Sequence, residues 1–546
     1  MHNINSDQIR KLFKDIIFKD KKFFIIVISY SLIVAILNLA LPISIQTLIS
    51  TVVYTALVQP ILIISIILFF LLSFAAILTL LQKYLLEIYK RNSFVRLSSQ
   101  LLIKSIYSDY NDFNKFNTSD LSSRYFEIFN IQRNAALLIV EGVLTVLQIV
   151  IGFLLSSFYH PYLLVLNIIT LSVIWLTWKL FAKQAIMHAL KRSEAKFSVF
   201  GWLDDVFRVN KFFRSNLSKN YALTKGRGLI DYYIKTRISY WRVNFYQTVI
   251  LTILYVIVMI VLFSVGSILV TQGQLSLGQL IASEIIFSTA LLGMVKLSNY
   301  FDLYYNLLAS LVEIDQVYKI PDENILGGIT KLPSQSNQLL NFNNVVYEDN
   351  FGNQFKFNFI IKEHTINYMH FLQTDYKDIF TKLVLSFIKP KSGHIEFYGV
   401  NLNSFNKKFL RDQIITINDL SVFGSTVKEF LTGESIQEDS YVNEILKLVS
   451  LDKLIYSMND NTNAMLVNDD YPFHRSQIIL LKIAYAIIAK PRIIVISGLF
   501  SQVDSQIRGK IIDYINHKTA ITLICLIDDS PSLDLNNVNH YKIGGD

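Results

Sequence analysis

Between residues 23 and 82 the chain carries no Asp, Glu, Lys or Arg. One crossing of a bilayer core takes about 20 apolar residues, so this stretch is too long for one span and suits two. It reads as a hairpin whose break falls around Ser50 to Thr55, between an apolar run ending near Leu48 and another beginning near Pro60. Two more hairpins follow. Residues 135–178 hold a single acid, Glu141, and are divided at Tyr159-His160-Pro161; residues 244–295 hold a single acid, Glu284, and are divided at Thr271-Gln272-Gly273. Proline and glycine stand at the turns, where a helix ends without stranding backbone groups in lipid. With 546 residues, 52% of them hydrophobic and 17% charged, the chain is too apolar for an ordinary soluble enzyme and too long for one domain.

Basic residues crowd the segments before, between and after the hairpins, as in Arg10, Lys11, Lys14, Lys19, Lys21 and Lys22, and the hairpin tips have none. By the positive-inside rule both termini and both long connections are expected on the cytoplasmic side. The start of the chain does not read as a cleaved signal peptide, because Phe23 opens a long span. These flanks account for the formal charge of +9, so no nucleic acid partner is expected. The connections at 83–133 and 179–243 mix charge with helical periodicity (Leu85, Ile88, Tyr89, Val95) and predict helices that leave the membrane and return. Trp175, Trp178 and Lys179 read as an interfacial belt. Glu141 and Glu284 lie where charge is costly, which points either to a cavity or to pairing with a serine, a glutamine or a neighbouring helix. A lone cysteine, Cys525, excludes a disulfide within the chain, and the nine histidines show no metal-ligand spacing, so no metal site is expected.

The run Phe116-Asn117-Thr118-Ser119-Asp120-Leu121-Ser122-Ser123-Arg124 resembles the segment beside the first coupling helix of exporter-type ABC transporters, with Ser119 where glycine is usual. Gly273-Gln274-Leu275-Ser276-Leu277-Gly278-Gln279-Leu280-Ile281-Ala282, followed by an aromatic helix to Asp315 and by Ile320-Pro321, is similar to the fifth-to-sixth span region of the peptide and type I secretion exporters. After a polar linker, short β-rich runs alternate with helices, at 355–361, 365–371, 394–398, 413–417, 492–496 and 521–526. That rhythm predicts an α/β domain with a mainly parallel buried core, in the strand order of a P-loop NTPase-like ABC domain.

A phosphate-binding loop needs glycines for close backbone approach, a lysine for the terminal phosphates and a hydroxyl for magnesium. Anchored on Lys389-Pro390-Lys391-Ser392-Gly393-His394-Ile395, which is similar to the family's conserved segment, the Walker A window becomes Phe371-Leu372-Gln373-Thr374-Asp375-Tyr376-Lys377-Asp378. Lys377 takes the lysine position, Phe371 and Tyr376 stand at the glycines and Asp378 replaces the hydroxyl. Asp375 and Asp378 would each repel a triphosphate by about 4 kcal/mol at 4 Å and an effective dielectric of about 20. Lys377 reads as a solvated surface lysine first and a weak phosphate ligand second.

The Walker B run at 492–496 is followed by Ser497-Gly498, without the two carboxylates that orient magnesium and water. Asp528 stands at the terminal histidine, and Asp349 and Asn418 replace the adenine-stacking aromatic and the Q-loop glutamine, with Tyr347 a small shift from the adenine position. The signature falls on Phe473-His474-Arg475-Ser476-Gln477, where Ser476 and Gln477 keep donors for a partner's phosphate and Arg475 brings a guanidinium. Ser501-Gln502-Val503-Asp504 keeps the form of the D-loop, whose plain role is a strand-to-helix turn. Arg475 and the basic residues near Arg411 otherwise read as solvated faces. No catalytic residue is expected; the candidate nucleotide-facing positions are Lys377, Ser476, Gln477 and Asp504.

The resemblance implies a six-helix membrane domain over residues 1–320 with long cytoplasmic extensions, a linker at 321–338 and a degenerate nucleotide-binding domain at 339–546. It implies a multi-pass protein of the lipid bilayer of a bacterial inner membrane, working as a dimer. The leading expectation is an ATPase-impaired export subunit for a peptide-like or amphipathic substrate. It would pair with a second, competent ABC half-transporter, with a periplasmic adaptor as a further partner, and ATP and magnesium would be held only at a partner-supplied site. Two alternatives stay open: a membrane receptor, immunity or assembly factor that no longer transports, and an ATP-hydrolysing homodimer with displaced motifs.

Overall fold

The computed structural model describes residues 11–543 apart from 18, 20, 55–57, 117, 324–326, 334–337, 350, 372, 374, 434–437, 459–460, 467–472 and 528–537. Arg10, Asn117, Leu372, Thr374 and Asp528, all singled out in the sequence, lie outside the described residues. The chain divides into two compact units, Met1–Asp322 and Glu323–Asp546.

The first unit is helical. Helices α1 (Lys21–Leu37) and α2 (Ala40–Tyr54) make the first crossing, and α3 (Val58–Tyr107) the second. A short α4 (Thr118–Arg124) precedes α5 (Phe126–Leu137), which runs through a π turn (Leu138–Gly142) into α6 (Val143–Ser157). Then come α7 (Pro161–Arg208), α8 (Asn216–Thr271) and α9 (Leu277–Tyr318). Among the described residues, six helical runs are long and apolar enough to cross a membrane. At 1.5 Å per residue the 50 residues of α3 reach about 75 Å, far beyond a hydrocarbon core of about 30 Å, so the helix continues well outside it.

The turns fall where proline and glycine predict. His160 caps α7, its Nδ1 accepting the Tyr162 N–H at 3.3 Å, with Pro161 at the first helical position. Gly273 takes φ +73° after α8, and Ser276 with Gln279 forms a capping box that starts α9. Along α9, Phe287, Leu291 and Met294 are fully buried and share a core with Phe153 of α6 and Leu262 of α8. The outward faces are apolar as well: Phe69 and Phe70 of α3 are 65% and 66% exposed, the surface expected of helices solvated by lipid. Lys179 lies over the Trp175 ring at 4.7 Å, at the predicted interfacial belt.

The second unit holds two principal sheets. One is antiparallel, in the order β2 (Gln354–Lys362), β1 (Gln338–Glu348), β4 (Ser392–Phe397), β5 (Val400–Asn401). The other is wholly parallel, in the order β9 (Val538–Ile543), β3 (Ile366–Phe371), β8 (Thr522–Ile527), β7 (Ile493–Ile496), β6 (Ile414–Ile417). The runs at 355–361 and 394–398, expected in a mainly parallel core, therefore belong to the separate antiparallel sheet. Their composition explains it: β2 alternates buried Phe355 and Phe357 with exposed Lys356 and Asn358, as a one-sided strand does, whereas Ile493 to Ile496 are all buried. Helices α10 (Asp375–Val384), α11 (Val427–Thr432), α12 (Asp439–Leu448), α13 (Arg475–Ala489) and α14 (Ser505–Lys518) pack around the sheets.

Part of the stretch expected as linker is fastened to the second unit. Both terminal nitrogens of Arg411 donate to Glu323 at 2.6 Å, Lys407 donates to it at 3.0 Å, and Ile329 exchanges backbone bonds with Ser404 and Asn406. Arg411 is thus no solvated face, as the sequence predicted, but the fork of a bidentate ion pair whose carboxylate is almost wholly covered.

Candidate functional site

The Walker A position lies between β3 and α10. Phe371 still belongs to the strand and Asp375 opens the helix, so the connection is only residues 372–374. At the second glycine position, Tyr376 is buried and its ring lies 4.9 Å from Phe355, 5.4 Å from Phe357 and 6.3 Å from Phe371. The backbone N–H of Tyr376, a donor that a phosphate loop would turn toward its ligand, is bonded to the Gln373 carbonyl at 3.2 Å. Lys377 is not the solvated lysine predicted: it is 8% exposed. The cause is its place in the first turn of a helix buried almost all round, with Tyr376, Ile379, Phe380 and Thr381 covered beside it. Asp378 is paired with Lys382 at 2.5 Å, one turn along.

Beyond β7 the backbone goes straight into a 3-10 turn, Gly498–Gln502, with Ser497 N–H bonded to the Ile417 carbonyl at 2.9 Å and Ser501 to the Gly498 carbonyl at 2.6 Å. The first carboxylate after the strand is Asp504, and it is the N-cap of α14, accepting from the N–H groups of Gln506 and Ile507 at 2.9 and 3.4 Å. Asp349 likewise serves its own turn, accepting from Phe351 and Asn353 between β1 and β2. Tyr347 is half-buried against Phe355, 6.5 Å away, and Asn418 is exposed after β6. ATP and magnesium do not fit the residues present: the Tyr376 ring is packed in the core where a phosphate loop needs glycine, Asp378 takes the place of the magnesium hydroxyl, and Ser497 and Gly498 follow β7 in place of the two carboxylates.

The signature segment keeps a helix start. Arg475 opens α13 and is exposed, with Ser476 and Gln477 half-exposed in its first turn. Gln477 turns its side-chain carbonyl back to accept the His474 N–H at 2.7 Å, so it is engaged in capping its own helix. Lys377 is thus buried in α10 and Asp504 caps α14, while Arg475 is exposed and Ser476 half-exposed at the start of α13.

The first unit holds a second polar site that the sequence did not single out. A cavity of about 270 Å³ is lined by Glu127, Arg133, Arg192, Lys196, Tyr233 and Asp302, among others. Glu127 is buried and accepts from Lys196, Ser310 and Asn130. Asp302 accepts from the Tyr240 hydroxyl and Asn244 at 2.6 Å and from Asn306 at 2.9 Å. Arg192 donates to Asn306 and lies over the Tyr240 ring at 4.2 Å. Both carboxylates are saturated, while Arg133 and Arg192 meet no carboxylate among the described residues. The chamber therefore presents an excess of donors. Of the two acids the sequence did mark, Glu284 accepts from Ser288 at 3.0 Å, the serine pairing anticipated as one alternative, and Glu141 is exposed.

This six-helix unit followed by a two-sheet α/β unit is the architecture of an ABC exporter. The profile of the ABC transporter transmembrane region matches residues 24–198. The chain is 23% identical over 380 residues to the exotoxin translocation ATP-binding protein PaxB of Pasteurella aerogenes, covering 67% of this chain and 52% of that protein. It is 24% identical over 291 residues to the transport/processing ATP-binding protein ComA of Streptococcus pneumoniae, covering 52% of this chain and 40% of that protein. It thus spans less than two thirds of either relative. A bacterial Atm1-family ABC exporter solved with ATP bound superposes with a TM-score of 0.79 at 12% identity, over 93% of this chain and 92% of that one. Residues 24–198 thus match the ABC transporter transmembrane region, and the chain is a multi-pass membrane protein with the fold of an ABC exporter, similar to the exporter-type ABC half-transporters.

Proposed function

We propose that this chain is the ATPase-impaired member of an export dimer, pairing with a second ABC half-transporter that supplies the competent Walker residues. Its substrate is peptide-like or amphipathic, and both termini face the cytoplasm of a bacterial cell, on the side marked by the basic flanks. What supports this reading is one contrast: six complete spans, with a polar chamber between α5, α7, α8 and α9, are joined to a nucleotide domain that carries the core-packed Tyr376 at a Walker A glycine position. PaxB and ComA are named for toxin translocation and for transport and processing, which favours the peptide class. In the dimer, ATP and magnesium sit on the partner's Walker residues and meet Arg475 and Ser476 of this chain. The donor-rich chamber beside Arg133 and Arg192 is where a cargo carboxylate is received.

The test is reconstitution with a companion ABC subunit whose motifs are intact. Magnesium-dependent ATP turnover should require both chains, disappear when the companion's Walker lysine is replaced, and survive Lys377→Ala here. Turnover by this chain alone that Lys377→Ala abolishes would sink the proposal in favour of a homodimeric ATPase. A second reading, a receptor or assembly factor that no longer transports, draws on Gln477 being engaged in its own helix cap. It predicts partner association that is indifferent to nucleotide.

A further inference from the structure

We infer that Glu141 is the group that receives a positively charged moiety of the cargo on the membrane-embedded face of this subunit. Glu141 lies seven residues beyond Asn134, after the last charged residue, Arg133, in a run without another Asp, Glu, Lys or Arg as far as Lys179. At 1.5 Å per residue that places it about 10 Å along the helix from Asn134, farther than a glutamate side chain reaches back toward water. It nevertheless points out from the helices of its own subunit: it is exposed, while Gly142 beside it is buried with the Tyr300 ring 3.8 Å from where a Cβ would stand. Thr145 donates to the Glu141 backbone carbonyl at 2.8 Å and lies 3.4 Å from the Tyr300 hydroxyl, so the inward side of this turn is committed to α9 and the carboxylate is on the other side.

The local backbone is unusual at the same residues. Leu138–Gly142 is a π turn, a rare arrangement inside an α-helix and a frequent one at functional sites. The other acids deep in this unit are answered internally: Glu127 by Lys196, Ser310 and Asn130, Glu313 by Arg124 at 3.8 Å, Glu284 by Ser288. Among the described residues Glu141 has no hydrogen bond or ion pair to its carboxylate. A carboxylate held against acyl chains is disfavoured, so its face must be turned to a polar space or to a cation. Charge complementarity selects the occupant: an ammonium or guanidinium of a basic peptide, or a lipophilic organic cation. The identity of that occupant as cargo rests on the export reading above; the demand for a cation rests only on Glu141.

The experiment uses the full chain in lipid nanodiscs and two probes of equal shape and opposite charge, tetraphenylphosphonium and tetraphenylborate, with empty nanodiscs as background. Wild type should bind the cation at least tenfold more tightly than Glu141→Gln, with Glu141→Asp retaining most of the affinity, Glu284→Gln unchanged, and the borate indifferent to all three. Equal cation binding by wild type and Glu141→Gln would overturn the inference. So would a change in oligomeric state on Glu141→Gln without a change in cation binding, which would make Glu141 a subunit-interface group. A chain that binds the cation through Glu141 but fails to transport with any companion would leave this inference standing and defeat the export reading.

Discussion

The Tyr376 ring meets that of Phe355 at 70° and 4.9 Å between centroids, an edge-to-face contact between the first turn of α10 and strand β2. The aromatic residue does not simply block a pocket; it has joined the core shared by β2, β3 and α10. Tyr376→Gly should therefore remove a buried ring at a cost of about 3–5 kcal/mol, read as a lowered denaturation midpoint. It should restore no magnesium-dependent ATP binding, since β7 is followed by Ser497 and Gly498 and not by acids. A glycine variant that gains such binding without losing stability would contradict this account.

Gly393 supplies a second check on the core. Its φ is +77°, and a Cβ there would stand 2.2 Å from the Asn344 carbonyl oxygen. Backbone cannot yield as a flexible side chain does. Gly393→Ala should destabilise the second unit by about 2–4 kcal/mol through disruption of the β1–β4 pairing, measured by thermal unfolding.

Glu323 ties the stretch after residue 322 to the second unit. Burial alone would raise its carboxyl pKa, but the hydrogen bonds from Arg411 and Lys407 outweigh it and hold the group below the usual carboxylate range. A depressed carboxylate adds stability that is present above its unfolded value, near 4.3, and is lost as pH falls through the folded value. Limited proteolysis of residues 327–333 should accelerate in that acid window for the wild type. With Arg411→Ala it should already be fast at neutral pH.

His370 and His540 give a second titration of the same sign, at higher pH. Burial, then the neighbouring His540 and Lys542, holds the His370 imidazole below its ordinary value, and the two rings stack at 5.7 Å. The folded state takes up this proton less readily than the unfolded chain. Stability is full above about pH 6.5 and declines as pH falls through and below that value. The thermal midpoint should drop between pH 7 and pH 5, and His370→Gln should flatten the slope; an unchanged slope in the variant would count against the pair.

The spans were legible because the rule that reveals them is one of exclusion, the absence of charge, and the turns at Pro161 and Gly273 are enforced by backbone chemistry. Strand β7 was legible for a similar reason, as four aliphatic residues buried on both faces. Strand β1 was not: Asn341, Asn343 and Asn344 interrupt its alternation, and Asn344 takes φ +47° within it. Strand β9 carries Asn539, His540 and Lys542, which suit an edge and read as loop. Lys377 lies between Tyr376 and Asp378 and gave no local sign of burial. Glu127 was not singled out, because its partners Lys196 and Ser310 stand 69 and 183 positions away. Periodicity reports which face of one helix is apolar, and it carries no information about which distant helix arrives to cover a charge.

Helix α3 runs from Val58 to Tyr107 without a break. A rod of about 75 Å that pivots near one end by about 5° sweeps the other through roughly 6 Å. Such a lever works whoever does the pushing: a subunit that burns no fuel itself can still be moved, and can pass that movement across the bilayer, provided its long helices stay stiff.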